Sequence, residues 1–225
     1  MRKDIEAVAF DLDGTLYPNY SLNVKLIPFI LKEWRLLLAF GKARNIIRKE
    51  QAAASVFPPV DDFYSHQALI TAGLLHLPPE FIKEKIDRLM YRGWEPFFKN
   101  IKPFPHAVQT LAALRSAGLK IGMLSDFPPE IKLEYMGLSG IWDAVLCSEQ
   151  CGALKPHAQC FRDLAAALAL PPEKILFVGN SLHYDVAGAS SAGMKTAWIT
   201  PFRRKHPAPD FIFSDYRQLH DFMLT

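Results

Sequence analysis

From residue 101 to residue 199 the chain alternates segments of helical periodicity with short apolar runs, and this alternation constrains the fold most strongly. The predicted helices are 106–117, 129–136, 157–169 and 184–192, and the predicted strands are 119–124, 143–147, 174–178 and 195–199. Two of the apolar runs, 121–124 and 175–178, are apolar throughout, as expected for strands covered on both faces. The order of the segments therefore predicts a parallel sheet with helices on both sides.

A different pattern fills residues 18–100, which separate the first apolar run of the chain from the alternating region. Apolar residues recur there at helical spacing, proline pairs interrupt them at 58–59 and 78–79, and no segment has a convincing strand pattern. The sequence therefore predicts an α/β core domain formed by residues 1–17 and 101–225, with residues 18–100 inserted as a helical domain.

The first long helix of the insertion is predicted around residues 26–40, where Lys32, Glu33 and Arg35 interrupt an apolar stretch. These charges favour an amphipathic helix over a membrane span. Its apolar residues are expected to pack within the insertion or against another subunit; they are Ile27, Ile30, Leu31, Trp34 and Leu38. The basic residues of 21–50 are expected on a solvated helix face, with recruitment of an anionic substrate as the alternative; they are Lys25, Lys32, Arg35, Lys42, Arg44, Arg48 and Lys49.

The composition argues against several classes of protein. The chain has 225 residues, half of them apolar, so it can bury a substantial core. Its net charge of +3 is small and dispersed, which argues against a nucleic-acid partner. Cys147, Cys151 and Cys160 lack the paired spacing of a zinc site, and the N-terminus carries no apolar stretch of signal-peptide length. We expect a cytoplasmic protein without a membrane partner, either a monomer or a homodimer.

The first apolar run of the chain ends in two carboxylates, Asp11 and Asp13, which precede a glycine and Thr15. In extended backbone, side chains two positions apart share a face, so both carboxylates can approach one small space while Leu12 turns into the core. Two uncompensated carboxylates repel each other. A cation, a shared proton or an anionic substrate held through a metal is therefore expected to complete the site. The alternative is a solvated turn at the end of a strand.

Three further polar segments follow at or just beyond the predicted strands. They are Ser125-Asp126, Lys155-Pro156, and the stretch that runs from Gly179-Asn180 to Asp185. Together with Asp11-Leu12-Asp13-Gly14-Thr15, these segments in this order resemble the motifs of the haloacid dehalogenase-like hydrolase superfamily, whose commonest members are magnesium-dependent phosphatases. The resemblance covers residues 6 to about 200, except most of 18–100, and it implies a Rossmann-like α/β core whose helical insertion caps the active site.

The resemblance also implies a role for each motif residue in the hydrolysis of a small phosphorylated metabolite. Asp11 is the implied nucleophile, which forms an aspartyl-phosphate, and Asp13 is the implied general acid and base. The implied phosphate-binding residues are Thr15, Ser125, Asp126 and Lys155. The implied ligands of Mg²⁺ are Asp11, Asp13, Asn180 and Asp185.

Asn180 departs from the pattern of the family, because its phosphatases usually carry an aspartate at that position. The carbonyl oxygen of Asn180 is still an acceptable ligand for a hard cation, so we expect Mg²⁺ binding weakened by roughly 10- to 100-fold. Three alternatives remain: a 2-haloacid dehalogenase that uses Asp11 without a metal, a phosphosugar mutase, and a phosphate-binding protein without activity. The dehalogenases generally lack the second aspartate, so the presence of Asp13 favours a phosphatase.

Overall fold

The computed structural model describes residues 2, 4–53, 62–202 and 206–225 of the chain. Its strands are β1 (Ala7–Phe10), β2 (Lys120–Ser125), β3 (Ala144–Cys147), β4 (Ile175–Gly179), β5 (Lys195–Ile199) and β6 (Phe211–Phe213). They form one sheet in the order β3-β2-β1-β4-β5-β6, with parallel pairing throughout. The predicted parallel α/β sheet is confirmed, and the four strands predicted after residue 101 agree with β2 to β5 to within one residue at each end.

The sheet reverses its strand order at β1, which pairs with β2 on one side and β4 on the other. Phe10, the last residue of β1, is aligned with Met123 of β2 and with Val178 of β4. Open α/β sheets bind ligands beyond the carboxyl ends of their strands at such a switch point. The residues that follow β1, β2 and β4 therefore meet at one edge of the sheet.

The described part of segment 18–100 is helical. Its α-helices are α1 (Asn19–Ala53), α2 (Phe63–Leu75), α3 (Pro79–Ile86) and α4 (Glu95–Phe98), and a π-helical turn at Asp87–Tyr91 follows α3. Leu36 and Phe40 of α1 pack with Ala68 of α2 and Ile82 of α3 in a buried cluster of their own. The predicted helical character is thus observed for the described residues, whereas Pro58 and Pro59 lie outside them.

One of two alternatives predicted for this segment, packing of the α1 apolar residues within it, is wrong. Whereas Leu22 and Leu26 of helix α1 are buried, five apolar side chains of the same helix that are expected to pack within the segment or against another subunit face outward. Their exposed fractions run from 40% to 74%, for Ile27, Ile30, Leu31, Trp34 and Leu38. The backbone leaves helical geometry at Glu33, and Leu36 and Phe40 beyond this kink supply the buried face instead. Packing of the outward face against another subunit stays a prediction. No described helix combines the length and apolar character that a bilayer crossing needs.

Helices cover both faces of the sheet. The core helices are α5 (Ala107–Ser116), α6 (Glu130–Tyr135), α7 (Ala158–Ala167), α8 (Ala187–Ser191) and α9 (Tyr216–Leu224). Because alternate strand residues face opposite sides, Val8 and Phe10 pack in the cluster that includes α5 and α9, whereas Ala7 and Ala9 pack with α7. The helix predicted at 184–192 is in fact two elements, since a π-helical turn at Leu182–Val186 precedes α8.

The alternating pattern does not extend to the end of the chain, where β6 is only three residues long. Helix α9 begins with a capping box: the side chain of Asp215 accepts from the N–H of Arg217, and the side chain of Gln218 accepts from the N–H of Asp215. The hydroxyl of Tyr216 in α9 donates to the main-chain oxygen of Thr15 at 2.7 Å. The last helix therefore supports the loop that follows β1.

Candidate active site

Asp11 lies directly after β1 and is buried beneath the edge of the sheet. Its main-chain N–H donates to the oxygen of Val178, which continues the pairing of β1 with β4 by one residue. The hydroxyl of Thr15 donates to one carboxylate oxygen at 2.7 Å, and the Nζ atom of Lys155 donates to the other at 2.6 Å. Both oxygens of Asp11 are thus fixed in direction by residues that belong to the sequence motifs.

Lys155 also joins Asp11 to the end of β4. Its Nζ atom donates to Oδ1 of Asp185 at 2.7 Å, while Oδ2 of Asp185 accepts from the N–H groups of Asn180 and Ser181 at 3.1 and 3.0 Å. One ammonium group therefore lies between two buried carboxylates. The motif residues at 11, 155 and 185, far apart in sequence, meet within hydrogen-bonding distance.

This buried cluster carries more negative than positive charge. Burial raises the pKa of Asp11 to about 7; the charge of Lys155 acts against this, and the carboxylates of Asp185 and Asp13 add to it. Burial by itself would lower the pKa of Lys155, but its contacts with Asp11 and Asp185 outweigh burial and raise it. Lys155 is therefore held as an ammonium, and the excess charge of the carboxylates is what a further cation would neutralise.

The loop after β1 packs tightly against the loop after β4. Gly14 has a φ angle of +86°, and a Cβ atom placed on it would overlap the side-chain amides of Asn180 and Asn19. Position 14 thus favours glycine for its left-handed backbone conformation, and any side chain there would displace the two amides. This close approach places the side chain of Asn180 against the Asp11–Thr15 segment, as the motif order predicts.

Asp13 has its own set of partners, and two of them are unexpected from the motifs. The Nζ atom of Lys132, in α6, donates to both carboxylate oxygens at 2.8 Å, and the hydroxyl of Tyr17 donates to Oδ1. Tyr17 also packs edge to face on Phe98, which holds its ring beside Asp13. No pattern in the sequence points to Lys132, because only the orientation of α6 brings this lysine to Asp13.

Ser125 and Asp126 lie at the carboxyl end of β2, as predicted. The hydroxyl oxygen of Ser125 accepts from the N–H of Phe127 at 3.2 Å. The carboxylate of Asp126 accepts from the hydroxyl of Ser148, the N–H of Lys155 and the guanidinium of Arg48. Burial would raise the pKa of Asp126, but nearby cations hold it below its ordinary value. This carboxylate is therefore occupied with protein donors, which leaves its main chain as the part available to a phosphate.

Polar side chains of α1 dock the helical segment onto the core. Arg44 donates to the buried carboxylate of Glu149, and Arg48 donates to the main-chain oxygen of Lys155 at 2.8 Å. The amide of Gln51 donates to the oxygen of Gly152, and its side-chain oxygen accepts from the N–H of Leu154. The preferred placement of the basic residues of α1 on a solvated face is therefore wrong for Arg44 and Arg48.

A cleft of about 710 Å³ opens beside Asp13, between the helical segment and the core. Asp13, Tyr17 and Lys132 form part of its wall, and Tyr64 and Tyr91 face them from the helical segment. A molecule in this cleft would reach the edge of the sheet where the motif residues meet.

The fold and sequence of this chain are similar to those of known hydrolases. A model of the haloacid dehalogenase-like hydrolases matches residues 5–193. The glyceraldehyde 3-phosphate phosphatase of Methanocaldococcus jannaschii is 29% identical, over 94% of this chain and 92% of that protein. The phosphoglycolate phosphatase of Salmonella typhimurium is 26% identical, over 96% and 92%.

Solved structures agree with the family model at the level of the fold. The L-2-haloacid dehalogenase RSc1362 has a TM-score of 0.68 at 23% identity, with 99% of this chain and 100% of that chain covered. A phosphatase of the same family from Thermococcus onnurineus has a TM-score of 0.66 at 24% identity, with 98% of each covered. The resemblance inferred from the ordered motifs is confirmed, and the chain belongs to the haloacid dehalogenase-like hydrolases.

Proposed function

We propose that this chain is a Mg²⁺-dependent phosphatase that hydrolyses a small phosphate monoester through an aspartyl-phosphate on Asp11. The observation that carries the proposal is the second carboxylate, Asp13, which Lys132 and Tyr17 hold beside the motif residues. Phosphoryl transfer to an aspartate needs a group that protonates the departing oxygen. Relatives named as phosphatases match almost the whole chain, which supports the same reaction class.

The residues of the chain supply both halves of the reaction. A carboxylate oxygen of Asp11 attacks phosphorus, and the bond from phosphorus to the substrate oxygen breaks as Asp13 gives that oxygen a proton. Asp13 then takes a proton from the water that attacks the aspartyl-phosphate, and phosphate leaves with Asp11 restored. Thr15 and Lys155 orient the nucleophile. Lys155, the hydroxyl of Ser125 and the main chain at Asp126 bind the phosphoryl oxygens. The predicted contact of Thr15 with phosphate competes with its observed role, because its one hydroxyl proton is donated to Asp11.

The residues at the edge of the sheet fit a magnesium ion by their chemistry. They offer carboxylate oxygens from Asp11 and Asp185, an amide oxygen from Asn180 and the main-chain carbonyl of Asp13, all of them donors that Mg²⁺ prefers. The described residues contain no group of three His, Cys, Asp or Glu side chains arranged to hold a metal, so the neutral oxygens are needed to complete the set. The ion, when bound, offsets the buried negative charge and that of the phosphoryl group.

The helical segment 18–100 is proposed to act as a cap. It forms one wall of the cleft beside Asp13, and it is joined to the core through Arg44, Arg48 and Gln51. A closed cap excludes water from the site during phosphoryl transfer to Asp11 and admits it for the second step.

Release of inorganic phosphate from 4-nitrophenyl phosphate tests the proposal. We expect turnover by the purified protein with Mg²⁺ and none with excess EDTA, with activity restored when Mg²⁺ is added back. Halide release from 2-chloropropionate that survives EDTA would instead establish a dehalogenase. Tight binding of a phosphonate without turnover of any ester would establish a binding protein, and either result would overturn the proposal.

We expect Asn180→Asp to lower the Mg²⁺ concentration that gives half-maximal rate, by roughly 10- to 100-fold. The substitution adds a charged oxygen donor where the packing against Gly14 already places the side chain. Titration of the initial rate with Mg²⁺ measures the change. Asn45→Asp is the matched control, because Asn45 is exposed on α1 and gains the same charge away from the site. An unchanged Mg²⁺ requirement in Asn180→Asp would contradict a metal-binding role for position 180.

A further inference from the structure

The cleft beside Asp13 is much roomier than a two- or three-carbon substrate requires. Its volume of about 710 Å³ falls in the range of about 300–1,000 Å³ that encloses drug-sized ligands. Because Asp13 is proposed to protonate the departing oxygen, the space beside it is where the alcohol part of the substrate would lie. The dimensions of the cleft therefore bear on what that alcohol is.

Aromatic side chains form a large part of the walls of the cleft. Tyr64, Tyr91, Trp94, Phe98 and Phe127 come from different elements and all line it. Several pack on one another: the rings of Tyr64 and Tyr91 lie 5.4 Å apart at 83°, and those of Tyr91 and Phe127 lie 6.3 Å apart. These contacts fix the rings before a ligand arrives. An apolar ligand that covers them removes both its own surface and theirs from water.

The charges of the lining do not match a substrate with a second anionic group. Among the described lining residues, each cation already pairs with a carboxylate; the pairs are Lys83 with Asp62, Arg92 with Asp87 and Lys132 with Asp13. Glu95 and Glu130 add two further carboxylates to the wall. A carboxylate on the substrate, such as that of phosphoglycolate, would enter acidic surroundings without an uncommitted cation among those residues, at a cost in desolvation and repulsion.

We propose that the cleft selects phosphate monoesters of large, uncharged, apolar alcohols and rejects substrates whose alcohol part carries a carboxylate. This inference rests on the proposed function, because it treats the cleft as the site of the leaving alcohol. It departs from the substrates in the names of the two relatives, both of which are two- or three-carbon phosphates. The aromatic walls supply affinity, and the carboxylate-rich lining supplies the discrimination.

Binding of n-alkylphosphonates to the Mg²⁺-loaded protein tests the inference without turnover. Isothermal titration calorimetry is run with the series from methyl- to hexylphosphonate, which keeps the anionic head group constant. We expect the affinity to rise by about fourfold per methylene as each one is buried. A rise of less than about threefold over the whole series would overturn the proposal, since even partial burial of the chain gives more.

The discrimination against charge is tested with a pair of ligands of nearly equal size. Phosphonoacetate and propylphosphonate differ in that a carboxylate replaces an ethyl group. We expect propylphosphonate to bind more tightly, by at least about tenfold, because its end gains apolar contacts and the carboxylate meets like charges. Tighter binding of phosphonoacetate would overturn the proposal.

A matched pair of variants tests whether the rise of affinity with chain length arises in the cleft. Ala68 of α2 is buried and lines the cleft, whereas its neighbour Leu69 is 56% exposed and does not line it. We expect Ala68→Trp to remove the gain with chain length while the affinity for methylphosphonate stays within about twofold, and Leu69→Trp to keep the whole gain. Equal effects of the two variants would contradict the location. The wild-type series decides the chemistry even if Ala68→Trp fails to fold.

Phosphate esters of alkyl alcohols with the same chain lengths distinguish the proposal of a phosphatase from the proposal of an apolar substrate. Unbranched alkyl alcohols are similar leaving groups, so kcat/KM for ethyl to hexyl phosphate reports mainly their binding. Phosphate release with a flat chain-length series would overturn the substrate class and leave the phosphatase intact. A steep phosphonate series without release of phosphate from any ester would overturn the phosphatase and leave the cleft as an apolar binding site.

Discussion

Asp11→Asn is expected to abolish phosphate release, with a loss in kcat on the order of 10⁴- to 10⁶-fold, as when the nucleophile of a covalent mechanism is removed. The amide has nearly the shape of the carboxylate but does not attack phosphorus. The amide oxygen can still accept from Lys155, and the amide N–H can donate to the hydroxyl oxygen of Thr15, so the substitution alters chemistry more than position. Initial rates at saturating Mg²⁺ measure the loss.

The thermal stability of Asp11→Asn shows whether its loss of activity comes from misfolding. Burial raises the pKa of Asp11 to about 7, so the folded protein holds its ionised form at a cost, and a neutral amide there leaves the midpoint of thermal unfolding unchanged or higher. Asp221→Asn, on an exposed side chain of α9, accounts for the change in net charge. Residual activity above about one hundredth of the wild-type rate, in variant protein shown by mass spectrometry to be free of deamidation at the substituted position, would contradict the nucleophilic role.

Arg44→Met is expected to lower the free energy of unfolding by about 3–5 kcal/mol, because it leaves Glu149 buried without its charged partner. Burial raises the pKa of Glu149 to about 7 even with Arg44 present, and loss of Arg44 raises it further. An acid whose pKa is raised on folding binds more protons in the folded than in the unfolded state. Stability therefore falls as pH rises above the unfolded value of about 4.5.

Urea unfolding of Arg44→Met at pH 5 and pH 8 measures both effects, and we expect the larger loss at pH 8. The double variant Arg44→Met/Glu149→Gln is expected to recover much of the stability, since no unpaired charge remains buried. Arg35→Met is the matched control on the same helix, because Arg35 is exposed. An equal loss in Arg35→Met, or a loss in Arg44→Met that does not change with pH, would show that Arg44 contributes through its helix and not through Glu149.

The core of the fold follows from local patterns in the sequence. The strands predicted after residue 101 are short apolar runs bounded by turn residues, and this pattern is typical of strands that are buried on both faces. Strand β6 was not predicted, because a three-residue strand at the edge of the sheet is too short to show a periodic pattern. Helix α9 did carry a signal, since Asp215 and Gln218 have the spacing of a capping box.

The contacts of the candidate site that join motif residues could be predicted from the sequence. Those that depend on how helices pack on the core could not. Asp11, Lys155 and Asp185 belong to the segments that follow β1, β3 and β4, and the topology brings these segments to one edge because parallel strands end there. Lys132 and Arg44 lie on helices, where basic residues are ordinarily solvated. Only the packing of those helices brings the first to Asp13 and the second to Glu149, and no local pattern reports how two helices will pack.

The hydrogen bond from Tyr216 to the main chain of Thr15 joins the candidate active site to a region outside the motifs. The hydroxyl of Thr15 in turn donates to a carboxylate oxygen of Asp11, so two hydrogen bonds connect the final helix to the proposed nucleophile. The family model stops at residue 193, well before α9 begins. A protein expressed only up to the family boundary would therefore keep every motif and yet lack the hydrogen bond that supports the loop of its proposed nucleophile.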